Sequence, residues 1–197
     1  MILTMICFAA MQAPAAADFF VGAPGTVRTY EDKGGNSQMT ETVGQLLDMG
    51  GVDVVPITNN TGKTTYYRIQ PDQVAIVAYD VKKPMVTPMP VLKLGSGKVT
   101  WDFQGTTESG LSGERLLEHG EAHLGGQKTV LGKKVDILTV KLVAAVGVGL
   151  SGYTIEQNTV YGKGIGWIEA TTKVKLGRKT TESSYHIVKL ETGKTTQ

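Results

Sequence analysis

The sequence predicts an all-β fold with minor α content, and two observations carry this prediction. From Asp18 onward, apolar and polar residues alternate with a period of two nearly everywhere, which is typical of strands that bury one face. The chain contains 25 glycines, where an average composition would give roughly 14. Because these glycines lie between the alternating segments, they indicate many short strands joined by turns.

Three consecutive strands are predicted in the first half of the chain, over residues 52–57, 64–69 and 74–79. Each is rich in β-branched or aromatic residues, as strands are. Asn59-Asn-Thr-Gly62 separates the first two strands, and this composition is a strong signal for a tight turn. We therefore expect these strands to pair as an antiparallel meander.

The C-terminal half predicts four longer strands, over residues 135–148, 154–161, 165–176 and 180–190. The first is an apolar run whose length would also suit a helix. Its content of valine and glycine, and the strands around it, favour a long buried strand instead.

Three segments depart from simple alternation. Residues 40–49 place apolar residues at helical spacing but also continue a strand, so both interpretations stay open. Residues 114–118 have the composition of a single helical turn. Residues 85–90 hold a cluster of prolines, which predicts a break in the sheet and an ordered crossing loop.

The segment Tyr161-Gly-Lys-Gly-Ile-Gly-Trp167 places three glycines at alternate positions between two aromatic residues. Glycine accepts backbone conformations that a Cβ forbids, so the segment predicts a tight entry into the next strand. It is not a dinucleotide fingerprint, because the spacing is wrong and a strand follows where a helix is needed. Thr61-Gly-Lys-Thr-Thr65 also lacks the first glycine and the helix of a phosphate loop, and is better explained as a hairpin turn.

Residues 1–17 are predicted to be an export signal, with a single β domain over residues 18–197. Residues 1–11 are almost wholly apolar, and Ala15-Ala-Ala17 supplies the small residues of a cleavage site before Asp18. The apolar run lacks a preceding Lys or Arg, so the true start lies upstream or the signal is unusual. A buried N-terminal helix is the alternative. The predicted location of the mature protein is the periplasm or the exterior of the cell.

Composition excludes several functional classes. The net charge is +2, and the basic and acidic residues are interspersed, so no nucleic-acid surface is expected. Cys7 is the only cysteine and lies inside the predicted signal, so the mature chain would have no disulfide, thiol nucleophile or cysteine-bound metal. No later segment is apolar enough to span a membrane. No cofactor is predicted.

Four segments, in this order, resemble the TapB and DUF3108-like group of bacterial secreted proteins. The opening residues 19–30 contain the aromatic pair, Gly25-Thr26 and Tyr30, although Arg28 stands where an aromatic is common. Residues 92–101 resemble the segment that ends in a tryptophan, and residues 129–135 resemble the turn before the long central strand. Residues 161–167 resemble the group's glycine-rich turn, with Lys163 in place of its usual proline.

This resemblance implies an antiparallel sheet curled into a partly open barrel, similar to lipoprotein-carrier folds that hold acyl chains in a concavity. Members of the group are mostly uncharacterised. The resemblance therefore implies an architecture rather than an activity.

His119, Glu121 and His123 form the strongest candidate for chemistry. On a strand these side chains would share one face, and two histidines with one glutamate can bind Zn²⁺. His186, on another strand, could join them. The alternative is a solvated strand face, because glycines flank the segment and most such pairs bind nothing.

Four aromatic residues are the candidate ligand-binding residues: Trp101, Phe103, Tyr161 and Trp167. In a closed sandwich they would form core, whereas in a half-open barrel some would line a pocket for an apolar ligand. The leading interpretation is a non-enzymatic secreted protein that binds a hydrophobic or envelope-derived ligand, or an envelope protein. The alternatives are a metal-dependent hydrolase built on His119 and its neighbours, and a structural envelope protein without a ligand.

Overall fold

The computed structural model describes residues 15–20, 22–106, 115–147 and 152–193. Most of the predicted signal lies outside these ranges. The described chain contains one short helix and thirteen strands. In chain order they are α1 (Ala16–Phe20), β1 (Val27–Asp32), β2 (Gln38–Val43), β3 (Leu47–Asp48), β4 (Asp53–Asn59), β5 (Thr64–Ile69), β6 (Gln73–Asp80), β7 (Lys83–Lys93), β8 (Lys98–Thr106), β9 (Arg115–Val130), β10 (Lys133–Val146), β11 (Tyr153–Gly162), β12 (Gly166–Leu176) and β13 (Lys179–Glu191).

All strand pairs within the described residues are antiparallel, and the sheet runs in the order β7-β6-β5-β4-β2-β1-β13-β12-β11-β10-β9-β8, with β3 added beside β4. Most neighbours follow each other in the chain, but β1 pairs with β13 and so joins the two ends of the strand sequence. The sheet curls until β7 and β8 contact each other without forming a ladder. The result is a nearly closed barrel with one unsealed seam, which confirms the predicted architecture.

The turn predicted over residues 59–62 connects β4 and β5. Asn59 Oδ1 accepts hydrogen bonds from the backbone N–H groups of Thr61 and Lys63, both at 3.0 Å. Gly62 has φ of 80°, which a side chain would disfavour. The asparagine that begins the turn and the glycine that completes it were therefore both informative in the sequence.

The prediction of a loop over residues 85–90 is wrong, because these residues lie in the middle of β7. That strand contains three prolines, Pro84, Pro88 and Pro90, yet it pairs with β6 through three irregularities in register. The physical reason is its position at the edge of the sheet. An edge strand needs only one side of its backbone for pairing, so it tolerates residues that lack an N–H. The prolines also obstruct pairing with a further strand.

The long strand predicted over residues 135–148 corresponds to β10, which pairs with β9 and β11. It is buried on one face only, since Leu138, Val140 and Ala144 point inward between exposed neighbours. The open question over residues 40–49 is decided for strands, with β2 ending at Val43 and β3 following. Of the single helical turn predicted over residues 114–118, residue 114 lies outside the described residues, and residues 115–118 belong to β9.

The helix α1 is buried although it comes first among the described residues. Ala16 and Phe19 are fully buried. The Ala16 N–H donates to the Pro71 carbonyl at 2.8 Å, and the Gly164 N–H donates to the Asp18 carbonyl at 2.6 Å. These two turns belong to distant parts of the sheet, so the helix lies across the barrel. Within the described ranges, no helix has the length and apolar character that crossing a membrane requires.

Candidate functional site

The barrel encloses a cavity of about 630 Å³. This volume lies within the range of roughly 300–1,000 Å³ that is typical of small-molecule sites. The lining side chains come from α1 and from strands all round the barrel, and most of them are apolar. The apolar and aromatic part of the lining comprises Phe20, Met39, Ile57, Tyr67, Ile76, Tyr79, Met89, Val91, Leu116, Leu142, Ala144, Val146, Ile155, Tyr161, Trp167, Ala170 and Tyr185.

Phe20 of α1 packs against two tyrosines, Tyr67 and Tyr161, in the cavity wall. Its ring centroid lies 4.8 Å from that of Tyr67 and 6.0 Å from that of Tyr161, both in tilted arrangements that aromatic pairs favour. Burial raises the pKa of the Tyr67 and Tyr161 phenols well above the ordinary value, with the nearby Glu41 carboxylate as a further cause. Both tyrosines therefore stay neutral, and they present rings rather than charge to the cavity.

A polar cluster, which we call the Arg28 cluster, consists of Arg28, Tyr30, Glu41 and Trp167. Glu41 Oε2 accepts hydrogen bonds from Trp167 Nε1 at 2.9 Å and from the Tyr30 hydroxyl at 3.2 Å. Arg28 Nη1 lies 3.8 Å from the same oxygen. Burial raises the pKa of Glu41, and Arg28 and the two donors partly oppose this shift. A buried carboxylate is thus matched by a buried guanidinium and two neutral donors.

Arg28 itself is only 1 % exposed. Its Nε donates to the Ile165 carbonyl at 2.6 Å, and Nη2 donates to the Phe20 carbonyl at 3.0 Å. The guanidinium therefore joins α1, β2 and the turn between β11 and β12. Nε and Nη2 thus bond to backbone carbonyls and Nη1 faces the Glu41 carboxylate, so each guanidinium nitrogen has a partner within the protein and Arg28 acts as a structural cation.

The glycine-rich turn predicted at residues 161–167 is needed by this cluster. Gly166 has φ of 103°, and a Cβ placed on it would lie 2.5 Å from the Arg28 Cζ. The absence of a side chain lets the guanidinium lie against the backbone. The next residue, Trp167, stacks on Tyr30 with ring centroids 3.4 Å apart and planes 2° apart. The turn is therefore a sheet corner that shapes the cavity wall.

Glu118, on β9, is the second carboxylate of the cavity, and it is only 6 % exposed. Burial raises the pKa of Glu118 from its ordinary value of 4.5 to about 7, and the indole of nearby Trp101 partly opposes this shift. Even so, Glu118 Oε1 and Trp101 Nε1 have no hydrogen-bond partner of standard geometry among the described residues. Burial and the Glu118 carboxylate raise the pKa of Tyr79 to about 12.

The four aromatic residues predicted to bind a ligand divide into two pairs. Tyr161 and Trp167 line the cavity. Trp101 and Phe103 are buried in the main apolar cluster, where their rings cover Gly120 and Gly105. Neither of these two belongs to the lining of the large cavity. The sequence-based alternatives of core and pocket therefore both occur in one molecule.

The candidate metal ligands His119, Glu121 and His123 share one face of β9, and that face points away from the barrel interior. His119 Nδ1 lies 2.8 Å from Asp102 Oδ1, and Glu121 Oε2 lies 2.7 Å from Lys98 Nζ. His186 lies on β13, with three strands between it and β9, which places it about 19 Å away along the sheet. Throughout the described residues, no three His, Cys, Asp or Glu side chains are grouped to hold a metal. The metal site stays a prediction, and metal analysis of the purified protein would test it.

The sequence reasoning missed Arg28, Glu41 and Glu118 as site residues. Glu41 and Glu118 are charged residues on strands whose other inward positions carry no charge, and Arg28 alternates with the buried Tyr30 on β1. Glu118, for instance, shares its parity with Leu116 and Ala122, which are buried. The available signal was a charged residue at an alternate position that otherwise faces the interior, because a buried charge must be paired with another group of the protein or with a ligand.

No protein-family model matches this chain, and no curated protein matches it. The resemblance to the TapB and DUF3108-like group is therefore not supported as a family assignment, although the barrel that it implied is present.

Two solved structures are similar to the chain. One, a candidate lipoprotein from Parabacteroides distasonis, is 14 % identical with a TM-score of 0.44, and the match covers 91 % of this chain and 100 % of that chain. The other, a candidate exported protein with a YmcC-like fold from Bacteroides fragilis, is 10 % identical with a TM-score of 0.43, and the match covers 88 % and 98 %. Similarity at this level implies no function for this chain.

Proposed function

We propose that this is a non-enzymatic exported protein that binds a hydrophobic or envelope-derived small molecule inside its barrel. The observation that carries the proposal is the cavity of about 630 Å³ with a mainly apolar lining. A filled core would leave no such volume, because protein interiors pack about as densely as organic crystals. Export to the periplasm or exterior rests on the predicted signal over residues 1–17.

Two adjacent residues of β10 provide a matched test of this function. Ala144 lines the cavity, whereas Ala145 lies on the outer face of the same strand and is exposed. Ala144→Phe adds a ring to the cavity, and Ala145→Phe adds the same ring to the surface. Both variants should be checked for native far-UV circular dichroism, since overpacking can disturb a fold.

The experiment combines native mass spectrometry for co-purified lipid with titration of a fluorescent acyl-chain probe. The wild type and Ala145→Phe should bind the probe, and Ala144→Phe should bind at least about tenfold more weakly while remaining folded, since a blocked pocket loses well over 1.4 kcal/mol of contact. Absence of lipid and of probe binding in the wild type would reject the proposal. That result would leave the alternative of a structural envelope protein.

A further inference from the structure

The charges that line the cavity do not balance. Its lining contains three charged side chains, namely Arg28, Glu41 and Glu118. Arg28 and Glu41 belong to one cluster and offset each other. The Glu118 carboxylate remains, and no cationic side chain contributes to its environment among the described residues. The ionised cavity therefore has one uncompensated negative charge.

Glu118 is directed into the cavity by its position on β9. Its register partners, Ala144 on β10 and Phe103 on β8, are apolar. Among the described residues the neutral indole of Trp101 is the neighbour that favours the ionised carboxyl, and it brings no positive charge. Tyr79, on β6, is a titratable neighbour whose pKa the Glu118 carboxylate helps to raise. Oε1 accepts no hydrogen bond from the described residues, and the side chain is more than nine-tenths buried. A buried polar atom without a partner is costly to the fold, and pairing with a ligand donor would remove that cost.

Resting on the binding function proposed above, we propose that the ligand is an amphipathic amine whose ammonium group ion-pairs with Glu118 while its hydrocarbon part fills the cavity. An ammonium supplies three N–H donors and the missing positive charge. A fatty-acid carboxylate fits less well, because it would face two carboxylates. The nearby cation, Arg28, already bonds to the Ile165 and Phe20 carbonyls and neighbours Glu41.

The test compares three probes with the same twelve-carbon chain: dodecylammonium, dodecanol and dodecanoate. Their affinities would be measured by calorimetry at about pH 8 for the wild type, Glu118→Gln and Glu156→Gln. Glutamine keeps the shape of Glu118 but removes its charge. Glu156 is a matched control on β11, because it pairs with Lys141 on the outer face of the barrel.

The wild type and Glu156→Gln should bind dodecylammonium more tightly than the other two probes. Glu118→Gln should weaken dodecylammonium binding by about tenfold or more, as expected for loss of a charged hydrogen bond, and should leave dodecanol binding unchanged. If all probes bind the wild type equally and Glu118→Gln changes nothing, the amine proposal is overturned while the binding function stands. If no probe binds, both are overturned.

Discussion

Gly166 and Arg28 show how a single residue controls the polar part of the cavity. The guanidinium lies against the Gly166 backbone, and its two hydrogen bonds and its ion pair with Glu41 join three separate parts of the chain. A side chain at this position would displace a buried cation from its partners. The cluster would then keep the buried Glu41 carboxylate without its guanidinium, which is an unfavourable arrangement.

Gly166→Ala should therefore destabilise the protein by about 3 kcal/mol, because it combines an unfavourable positive φ with the loss of buried Arg28 contacts. Gly164→Ala is the matched control in the same turn. Gly164 also has a positive φ, of 76°, but a Cβ there would meet nothing within 4 Å, so its cost should be only about 1 kcal/mol. Urea denaturation followed by tryptophan fluorescence measures both. Equal losses would show that the Arg28 contact contributes nothing.

Glu118 makes the stability of the protein depend on pH. Folding raises its pKa from 4.5 to about 7, so between these values the folded state keeps a proton that the unfolded state releases. Stability from this group is therefore present at low pH and is lost as the pH rises through that window. The loss is on the order of 3 kcal/mol, at 1.36 kcal/mol for each unit of pKa.

Glu118→Gln should be close to the wild type in stability at about pH 5 and more stable than it at about pH 8, because glutamine resembles the protonated acid. Chemical denaturation at the two pH values would measure this difference. Glu156→Gln should show no such gain, since Lys141 lowers the pKa of Glu156. A Glu118→Gln variant that is no more stable at pH 8 would contradict the raised pKa.

At the scale of elements, α1 is small but lies across the barrel. It bridges the turn after β5 and the turn after β11, and its Phe19 side chain is fully buried. Cleavage after Ala17, as the signal predicts, would keep Asp18, Phe19 and Phe20. The contacts of the two phenylalanines with the barrel would thus be available to the mature protein.

Phe19→Ala should cost about 3 kcal/mol, the lower end for removal of a buried phenylalanine, because the residue lies near a chain terminus. Asp18→Ala is the control. In the protein starting at Asp18, which lacks the Ala15 N–H that donates to Asp18 Oδ2, this change removes only the exposed contact of 3.7 Å with Lys163. Such surface pairs contribute about 1 kcal/mol at most. Thermal unfolding of the protein starting at Asp18 would compare the two variants. Similar melting temperatures for both would contradict a stabilising role of the Phe19 side chain.

The position of the strand β7 in the sheet could not be predicted from its own residues. Its prolines correctly indicate that the segment cannot be a central strand, but they do not distinguish a loop from an edge strand. That distinction depends on which strands occupy the neighbouring positions. The β4–β5 turn, by contrast, was predictable because Asn59 and Gly62 act within a few residues of each other.

At the scale of the whole molecule, the cavity exists because the sheet curls into a barrel whose two edge strands meet at the seam. The pairing of β1 with β13 joins the two halves of the sheet, while its edge strands β7 and β8 meet without a ladder. A ligand that occupies the interior binds the folded barrel and has no site in the unfolded chain. Occupancy should therefore stabilise the fold.

The amphipathic amine, at a concentration of about 100 times its dissociation constant, should add about 2.7 kcal/mol to the free energy of unfolding. For a chain of this size, that corresponds to an increase in melting temperature of roughly 5–11 °C. Ala144→Phe should lose this increase and Ala145→Phe should keep it. Differential scanning calorimetry would measure the shifts. An equal shift in both variants would place binding outside the cavity.

The sequence by itself determined the all-β character, several turns and the alternation that gives each strand an inner and an outer face. These features depend on local backbone geometry and on a period of two, so short windows contain them. Only the tertiary structure decided which strands pair, where the seam lies, and that Arg28, Glu41 and Trp167 meet although Glu41 and Trp167 are 126 residues apart. Sequence patterns record which faces are apolar, but a cavity is the space that packing leaves between them, and no local pattern specifies it.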